Sequence, residues 1–473
     1  MVRTRFAPSP TGQLHLGNLR IAVFNHLFAR HHGGAFVIRV EDTDRDRNVP
    51  GSLEAILEDL AWAGLHWDEG PDREGAFGPY RQSERADRHR AVALGLLAGG
   101  RAYRCFCSDE RLAARREEGE GGAPGVGCPS GCQHADTVEA ERRVLEGEPA
   151  AIRFPVPDAR IEFHDAVRGD ISFHGGDVGD FVILRADGRP TYNFAVVVDD
   201  IDMEITHVIR GAGHLSNTPK QVLLFDALGA PRPVFAHLPM VLGPDRKKLS
   251  KREGASGIGE LRAVGYPPDA VVNYLSLLGW SPGDDREVLT RAELESELTL
   301  DRVGGSDAIF DPEKLRWMAA QHLALLPLGD LVVALEPFLD RKRFPLEGDE
   351  LERSVEAIRT RLHTLGEVNE TLTILYPGSS VLEAGVSEVR QEGGDWVSVV
   401  AGVRDALATL PMWEAEALGR TVRDAGKEMG ARGPALFHPV RLALCGTRSG
   451  PDLGLVIAAL GRKRTLDRLD AVA

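Results

Sequence analysis

The chain has 473 residues, is 43% hydrophobic and 27% charged, and carries a formal net charge of −15. That length suits about three domains, and no apolar run nears the roughly 18 residues that a membrane span needs. The N-terminus, MVRTRFAPSP, lacks the apolar core of a signal peptide, so a cytoplasmic chain without membrane association is expected. The acidic balance excludes a surface that is basic throughout, so any nucleic-acid contact must rest on local cations. Of the five cysteines, four fall between Cys105 and Cys132; this excludes a disulfide framework and reads as a metal site in a reducing compartment.

Val2 to Ala7 is short and apolar-leaning and reads as a strand. A turn of Pro8, Ser9, Pro10, Thr11 and Gly12 follows, and then His15-Leu16-Gly17-Asn18 opens an amphipathic run. Leu19, Val23 and Leu27 repeat at helical spacing, and Gly33-Gly34 stop a helix over 19–32. Ala35 to Val40 predicts a strand that ends in the acidic cluster Glu41 to Asp44, which completes a βαβ unit and a parallel sheet. Residues 52–64 suit a second helix with Ser52 as N-cap.

From about 100 to 190 the texture changes to cysteines, a Gly-rich stretch and short strand-like runs at Ala151–Val156, Ile161–Asp165 and Phe181–Arg185, as in an insert between two halves of a sheet. Asn193–Val198 reads as a buried strand and Ile205–Ile209 as another. Thr218–Leu228 reads as a helix with Pro219 at its start and Gly229 beyond its end. Phe235–Leu242 leads to the turn Gly243-Pro244-Asp245. Beyond residue 260 the pattern is helical: 268–278, 290–298, 312–325, and helix after helix from 328 on, with Tyr376-Pro377-Gly378 as a candidate division.

Two stretches suit phosphate. A strand–loop–helix start offers backbone N–H groups and a partial positive charge, Gly17 permits close approach, and His15 can donate a hydrogen bond to developing charge. The second stretch, Arg246 to Arg252, holds five cations and Ser250 just after a Gly-Pro turn. An isolated basic run is ordinarily a solvated loop. Here it closes the second half of a sheet whose first half carries His15, which suits a clamp on a leaving pyrophosphate.

HLGN resembles the HIGH signature, and KLSKR the KMSKS signature, of class I aminoacyl-tRNA synthetases. RFAPSPTG, FVIRVEDTD, TYNFAVVVDD, THVIRG, HLSNTPKQ and FDPEKLRW resemble bacterial-type glutamyl-tRNA synthetase, in that family's order and over about residues 3–470. The resemblance implies an α/β fold. A Rossmann-like class I catalytic domain would occupy 1–100 and 191–255, with an acceptor-end insert at 101–190. An all-α stem-contact domain at 256–327 and an anticodon-binding domain at 328–473 would follow. It implies that glutamate attacks the α-phosphate of ATP with Mg²⁺ present, and that the glutamyl group then passes to the end of tRNA(Glu), with tRNA(Gln) open as a second acceptor. A monomer is expected.

By the same resemblance, His15, Lys248 and Lys251 are catalytic, and His15, Gly17, Asn18, Lys248, Ser250 and Lys251 hold ATP. Arg5 would take the glutamate side-chain carboxylate, Arg210 a carboxylate as a second cation, and Glu41 the α-ammonium. Ala7, Ser9, Tyr192 and Asn193 would line that pocket. Each arginine would otherwise be a structural ion pair. One departure stands out: Arg210 is followed by Gly211-Ala212-Gly213-His214, where relatives usually carry Gly-Glu-Asp-His.

Cys105-x-Cys107, then Cys132-Gln133-His134 after 24 intervening residues, resembles the structural Zn²⁺ site of some members of that family. Cys105, Cys107 and Cys132 are the expected ligands; His134 or Cys128 would complete a tetrahedral set. The helical C-terminal third argues against glutaminyl-tRNA synthetase, whose anticodon region is a β-barrel. It also argues against the short paralogue that glutamylates a queuosine base. Arg341-Lys342-Arg343 and Arg462-Lys463-Arg464 are candidate phosphate contacts. The rivals are a small-molecule adenylate-forming ligase of the HIGH superfamily and a tRNA-binding paralogue with an impaired site.

Overall fold

The computed structural model describes residues 1–108, 131–247 and 257–472. They form two compact units, one of residues 1–258 and 272–311 and the other of residues 259–271 and 312–473.

In the first unit β1 (Arg3–Phe6), α1 (Leu16–His31) and β2 (Ala35–Ile38) make the expected βαβ unit, with β1 parallel to β2 in the register Arg5↔Val37. Both strands are buried throughout, as parallel strands covered on both faces must be. The helices α2 (Ser52–Trp62) and α3 (Ala86–Ala98) follow. Ser52 is not the N-cap of α2; Gly51 holds that position at φ 77°, a left-handed conformation that suits glycine. The Ser52 hydroxyl instead donates to the Gly12 carbonyl at 2.6 Å and faces the Gly12 N–H at 3.0 Å, which ties α2 to the Pro-Ser-Pro-Thr-Gly turn.

The central stretch holds β3 (Tyr103–Cys105), α4 (Thr137–Leu145), β4 (Ala151–Phe154), β5 (Arg160–Asp165), β6 (Gly169–His174) and β7 (Phe181–Leu184). β3, β4 and β7 form an antiparallel sheet of their own. β5 and β6 form a hairpin whose last β5 residue, Asp165, pairs in parallel with Phe235.

The expected strand Asn193–Val198 is a helix, α5 (Tyr192–Asp202). Phe194 to Asp200 are all buried, so the apolar run shows no exposed face that would mark helical periodicity. Such a run fits either state locally; its length of 11 residues is the signal that favoured helix. β8 (His207–Gly211), α6 (Thr218–Ala227), β9 (Val234–Leu238) and β10 (Val241–Leu242) follow. The strand order β6-β5-β9-β8 extends toward β1, because the Thr206 N–H donates to the Arg3 carbonyl at 3.0 Å and the Arg3 N–H to Thr206 Oγ1 at 2.8 Å. β10 pairs in parallel with β11 (Ala308–Ile309).

The second unit is helical from Pro312–Leu325 to Leu453–Asp470. One contiguous core runs from Leu323 to Val472, so Tyr376-Pro377-Gly378 does not divide it. The Tyr376 hydroxyl lies 2.8 Å from Ser354 Oγ and donates to the Ala459 carbonyl at 3.3 Å, binding the turn into that core. Four cations of the two basic triplets have partners within this unit: Arg341 pairs with Glu336, Lys463 with Asp467 and Arg464 with Glu350, while Arg462 donates to the carbonyls of Ala408 and Leu410. Among the described residues no helix is long and apolar enough to cross a membrane.

Candidate active site

β1, β2 and β8 lead into the site at their carboxyl ends, where open parallel sheets bind ligands. Arg5 is the penultimate residue of β1 and Arg210 of β8, and Glu41 follows β2. The Glu41 N–H donates to the Pro8 carbonyl at 3.0 Å, which joins the β2 exit to the turn that carries Ala7 and Ser9. Ser9 is exposed and Ala7 half-buried.

Four charged groups pack together here. Arg5 contacts Asp200 through Nε at 3.2 Å and Nη2 at 3.4 Å, and Arg39 contacts the same carboxylate at 2.5 Å. Burial opposes the Asp200 charge, yet Arg39 and Arg5 hold its carboxyl below the usual range. Arg39 reaches Glu41 only at 3.5 Å, and burial, opposed by Arg39 and Arg5, pushes the Glu41 carboxyl up to about 7. Asp200 and Arg39 escaped the sequence reading. The signal was the acidic pair Asp199-Asp200 at the end of an otherwise apolar run, which only buried cations can offset.

Arg210 differs from Arg5. It is 5% exposed, donates through Nε to His237 Nε2 at 3.0 Å and through Nη2 to Thr218 Oγ1 at 2.9 Å. No carboxylate pairs with it among the described residues, and its Nη1 has no hydrogen-bond partner there. Burial pushes its guanidinium down to about 10. A buried guanidinium held by neutral groups keeps its full charge for an anion.

Tyr192 starts α5, and its hydroxyl lies 3.2 Å from His214 Nδ1. Burial pushes the phenol up to about 12; burial, with the charges of Arg210 and Arg5, pushes His214 down to about 4, so both are neutral near pH 7. Asn193 donates to Asn217 at 3.4 Å and accepts from Gln221 at 3.0 Å, partners that the sequence reading did not name. Ala212–Asn217 form a 3-10 turn after β8. A Cβ at Gly213 would meet no atom within 4 Å, so packing does not force glycine there.

His15 is the N-cap of α1, and its Nδ1 accepts from the Asn18 N–H at 3.4 Å. A neutral ring in that role carries its proton on Nε2. No acidic side chain lies in the first turn of α1, so Gly17 and Asn18 stand where the helix dipole attracts an anion. Lys248, Ser250 and Lys251 lie outside the described residues. The chain on either side of them is placed: Gly243 and Lys247 close a turn with a 2.8 Å bond, and Gly257 forms a bridge with His15. The described chain therefore resumes at Gly257 beside the start of α1.

Cys105, Cys107 and Cys132 bring their sulfur atoms within 4.8 Å of one another, and Cys107 and Cys132 are 4.0 Å apart. Two thiolates on a tetrahedral Zn²⁺ at about 2.3 Å stand about 3.8 Å apart, so the three fit such an ion. His134 is not within that group; its Nε2 lies 3.0 Å from the Gln133 amide. Cys128 lies outside the described residues.

Residues 1–317 match the family described as "tRNA synthetases class I (E and Q), catalytic domain", and residues 330–473 match "Anticodon binding domain". A glutamate–tRNA ligase of Desulforudis audaxviator is 45% identical over 479 residues, covering 99% of this chain and 95% of that protein. One from Sulfurihydrogenibium sp. is 42% identical, covering 99% and 98%. The crystal structure of a glutamate tRNA ligase from Elizabethkingia meningosepticum, in complex with its amino acid, superposes with a TM-score of 0.84 at 31% identity and covers 100% of this chain and 99% of that one. With this identity over its whole length, the chain belongs to the glutamate–tRNA ligase family of class I aminoacyl-tRNA synthetases.

Proposed function

We propose that the chain activates L-glutamate with ATP and transfers it to the 3′ end of tRNA(Glu), as a cytoplasmic monomer. The observation that carries this reading is a pair of opposite, poorly met groups near enough for the Glu41 charge to act on Arg210. Among the described residues Arg210 lacks a carboxylate partner and the Glu41 side chain has only a 3.5 Å contact with Arg39. An amino acid with a second carboxylate supplies an ammonium for Glu41 and an anion for the guanidinium. Arg5 and Arg210 divide its carboxylates, Tyr192 and Asn193 line the wall, and Ala7 and Ser9 line the rim.

The α-carboxylate of glutamate attacks the α-phosphorus of ATP and displaces pyrophosphate, and a terminal ribose hydroxyl of tRNA then displaces AMP. His15, through Nε2–H, and the N–H groups near Gly17 and Asn18 stabilise charge that grows on the phosphates. Lys248, Ser250 and Lys251, which lie outside the described residues, would hold the phosphates, the two lysines by adding positive charge. Mg²⁺ bound with ATP supplies further neutralisation of phosphate charge. The insert at 101–190 would meet the acceptor end, 256–327 the stem and 328–473 the anticodon.

The test is ATP–pyrophosphate exchange with glutamate, with and without tRNA, with Lys251→Ala as control. Exchange that requires tRNA(Glu), at rates well above the control, is the expected result. Exchange supported by another acid would identify a small-molecule ligase instead, and no exchange under any condition a tRNA-binding paralogue. Charging assays on tRNA(Glu) and tRNA(Gln) define the acceptor range.

Cys105, Cys107 and Cys132 would hold a structural Zn²⁺, with His134 or Cys128 as the fourth ligand. Elemental analysis of the purified chain is then expected to find about one zinc per chain. Cys132→Ser should lose it and open residues 101–190 to limited proteolysis. A variant that keeps its zinc and its resistance would remove the site.

A further inference from the structure

Among the described residues Arg210 has no carboxylate partner, and the side chains that hold it are neutral. Three elements converge on it. Asp165, the last residue of β5, is fully buried, and its Oδ1 accepts three backbone N–H bonds: from Val167 at 3.1 Å, Arg168 at 3.0 Å and His237 at 3.2 Å. Its Oδ2 accepts from His237 Nδ1 at 2.6 Å. His237 stands on β9 directly opposite Arg210 on β8, is likewise fully buried, and turns Nε2 to the Arg210 Nε–H at 3.0 Å. Thr218, the first residue of α6, lies with its hydroxyl 3.1 Å from the same Nε2 and accepts from Arg210 Nη2.

These bonds admit one tautomer. Asp165 can only accept, so His237 carries its proton on Nδ1 and Nε2 is an acceptor, as a donor such as the Arg210 Nε–H requires. Arg210 thereby spends Nε and Nη2 on neutral partners, and Nη1 has no partner among the described residues. Its charge is not cancelled, whereas Arg5 and Arg39 share the Asp200 carboxylate. We propose that Asp165, His237 and Thr218 are positioning residues for amino-acid recognition: they fix the tautomer and the rotamer that keep Arg210 charged and Nη1 available to a substrate carboxylate. This rests on the reading that Arg210 binds substrate.

Asp165→Asn is the sharpest probe. The three backbone donors hold an oxygen at the Oδ1 position, so the amide nitrogen must take the Oδ2 position. It then donates to His237 Nδ1 and drives the ring proton to Nε2, against the Arg210 Nε–H. An amide swap in a carboxylate–histidine pair acts through the wrong tautomer in this way.

The experiment is steady-state charging by the full chain at saturating tRNA, with KM for glutamate, KM for ATP and kcat measured separately. Asp165→Asn and His237→Leu are expected to raise KM for glutamate on the order of ten- to hundredfold, since a hydrogen bond to a charged group is disrupted, with KM for ATP unchanged. His237→Gln keeps an acceptor toward Arg210 and should restore most of the loss seen with His237→Leu. The proposal is overturned if Arg210→Gln raises KM for glutamate while Asp165→Asn does not. It is equally overturned if the glutamine and leucine variants behave alike, a comparison that stands even if Asp165→Asn fails to fold. An Arg210→Gln variant with the parental KM would overturn the underlying reading of Arg210 itself.

Discussion

Arg210→Gln is expected to raise the KM for glutamate by about a hundred- to a thousandfold and to leave the thermal midpoint unchanged or higher. The functional half follows from a buried charge pair: removing one partner costs about 3–4 kcal/mol, much of it the penalty of leaving the other charge unpaired. The stability half follows from the absence of any carboxylate in an ion pair with Arg210 among the described residues. Burial, with the Arg5 charge nearby, depresses its guanidinium to about 10, so in the ligand-free chain the charged form is a burden of as much as about 3 kcal/mol. Glutamine relieves it and retains an amide near the Nε position, where it can donate to His237. Arg5→Gln gives the opposite stability result. It strips Asp200 of one of its two guanidinium partners and leaves a buried carboxylate held by Arg39, so both the thermal midpoint and glutamate use should fall. Steady-state kinetics and thermal melts of the two variants side by side decide this. Equal destabilisation of both would mean that Arg210 is a structural cation.

That contrast between two arginines could not be read along the chain. Arg5 lies within one short strand-like run and Arg210 just after another, and both carry the same resemblance to glutamate-binding positions. What separates them is Asp200, almost 200 positions from Arg5 in sequence, and Asp165, brought beside His237 by the β5–β9 pairing. Local signals did suffice where the chemistry is local. The turn after β1, the start of α1 at His15, and the β1–α1–β2 unit all rest on short-range rules of turns, caps and apolar spacing. They failed at Asn193–Val198, because burial on every side erases the periodicity that tells helix from strand. They failed again at Tyr376-Pro377-Gly378, where a loop composition ordinarily found between domains is instead bonded into one core. The cysteines fall between these cases: clustering marked a metal site, the family resemblance named Cys105, Cys107 and Cys132, and the fold brings those three together.

Glu41→Gln is expected to split function from stability in a pH-dependent way. Burial raises the Glu41 carboxyl to about 7 in the folded, ligand-free chain, whereas an unfolded glutamate titrates near 4.5. A raised carboxyl binds its proton more tightly in the folded state. Between about pH 4.5 and 7 the stability of the parent chain therefore falls as pH rises, and above 7 the full cost, about 3 kcal/mol, is present. Glutamine carries no charge to bury, so the variant should gain most over the parent near pH 8 and little near pH 5. Substrate use runs the other way. The ammonium of glutamate needs Glu41 ionised, and its binding repays the burial of that carboxylate. The parent's KM for glutamate should thus climb as pH drops through 7, approaching about tenfold per unit below it. Glu41→Gln should show a high KM with no such dependence, since no carboxylate is left to titrate. A parent KM that is flat from about pH 6 to 8 would place the ammonium elsewhere. The strain at Glu41 is then best understood as half of a binding site: a carboxylate kept short of partners so that the substrate's ammonium is the one that completes it.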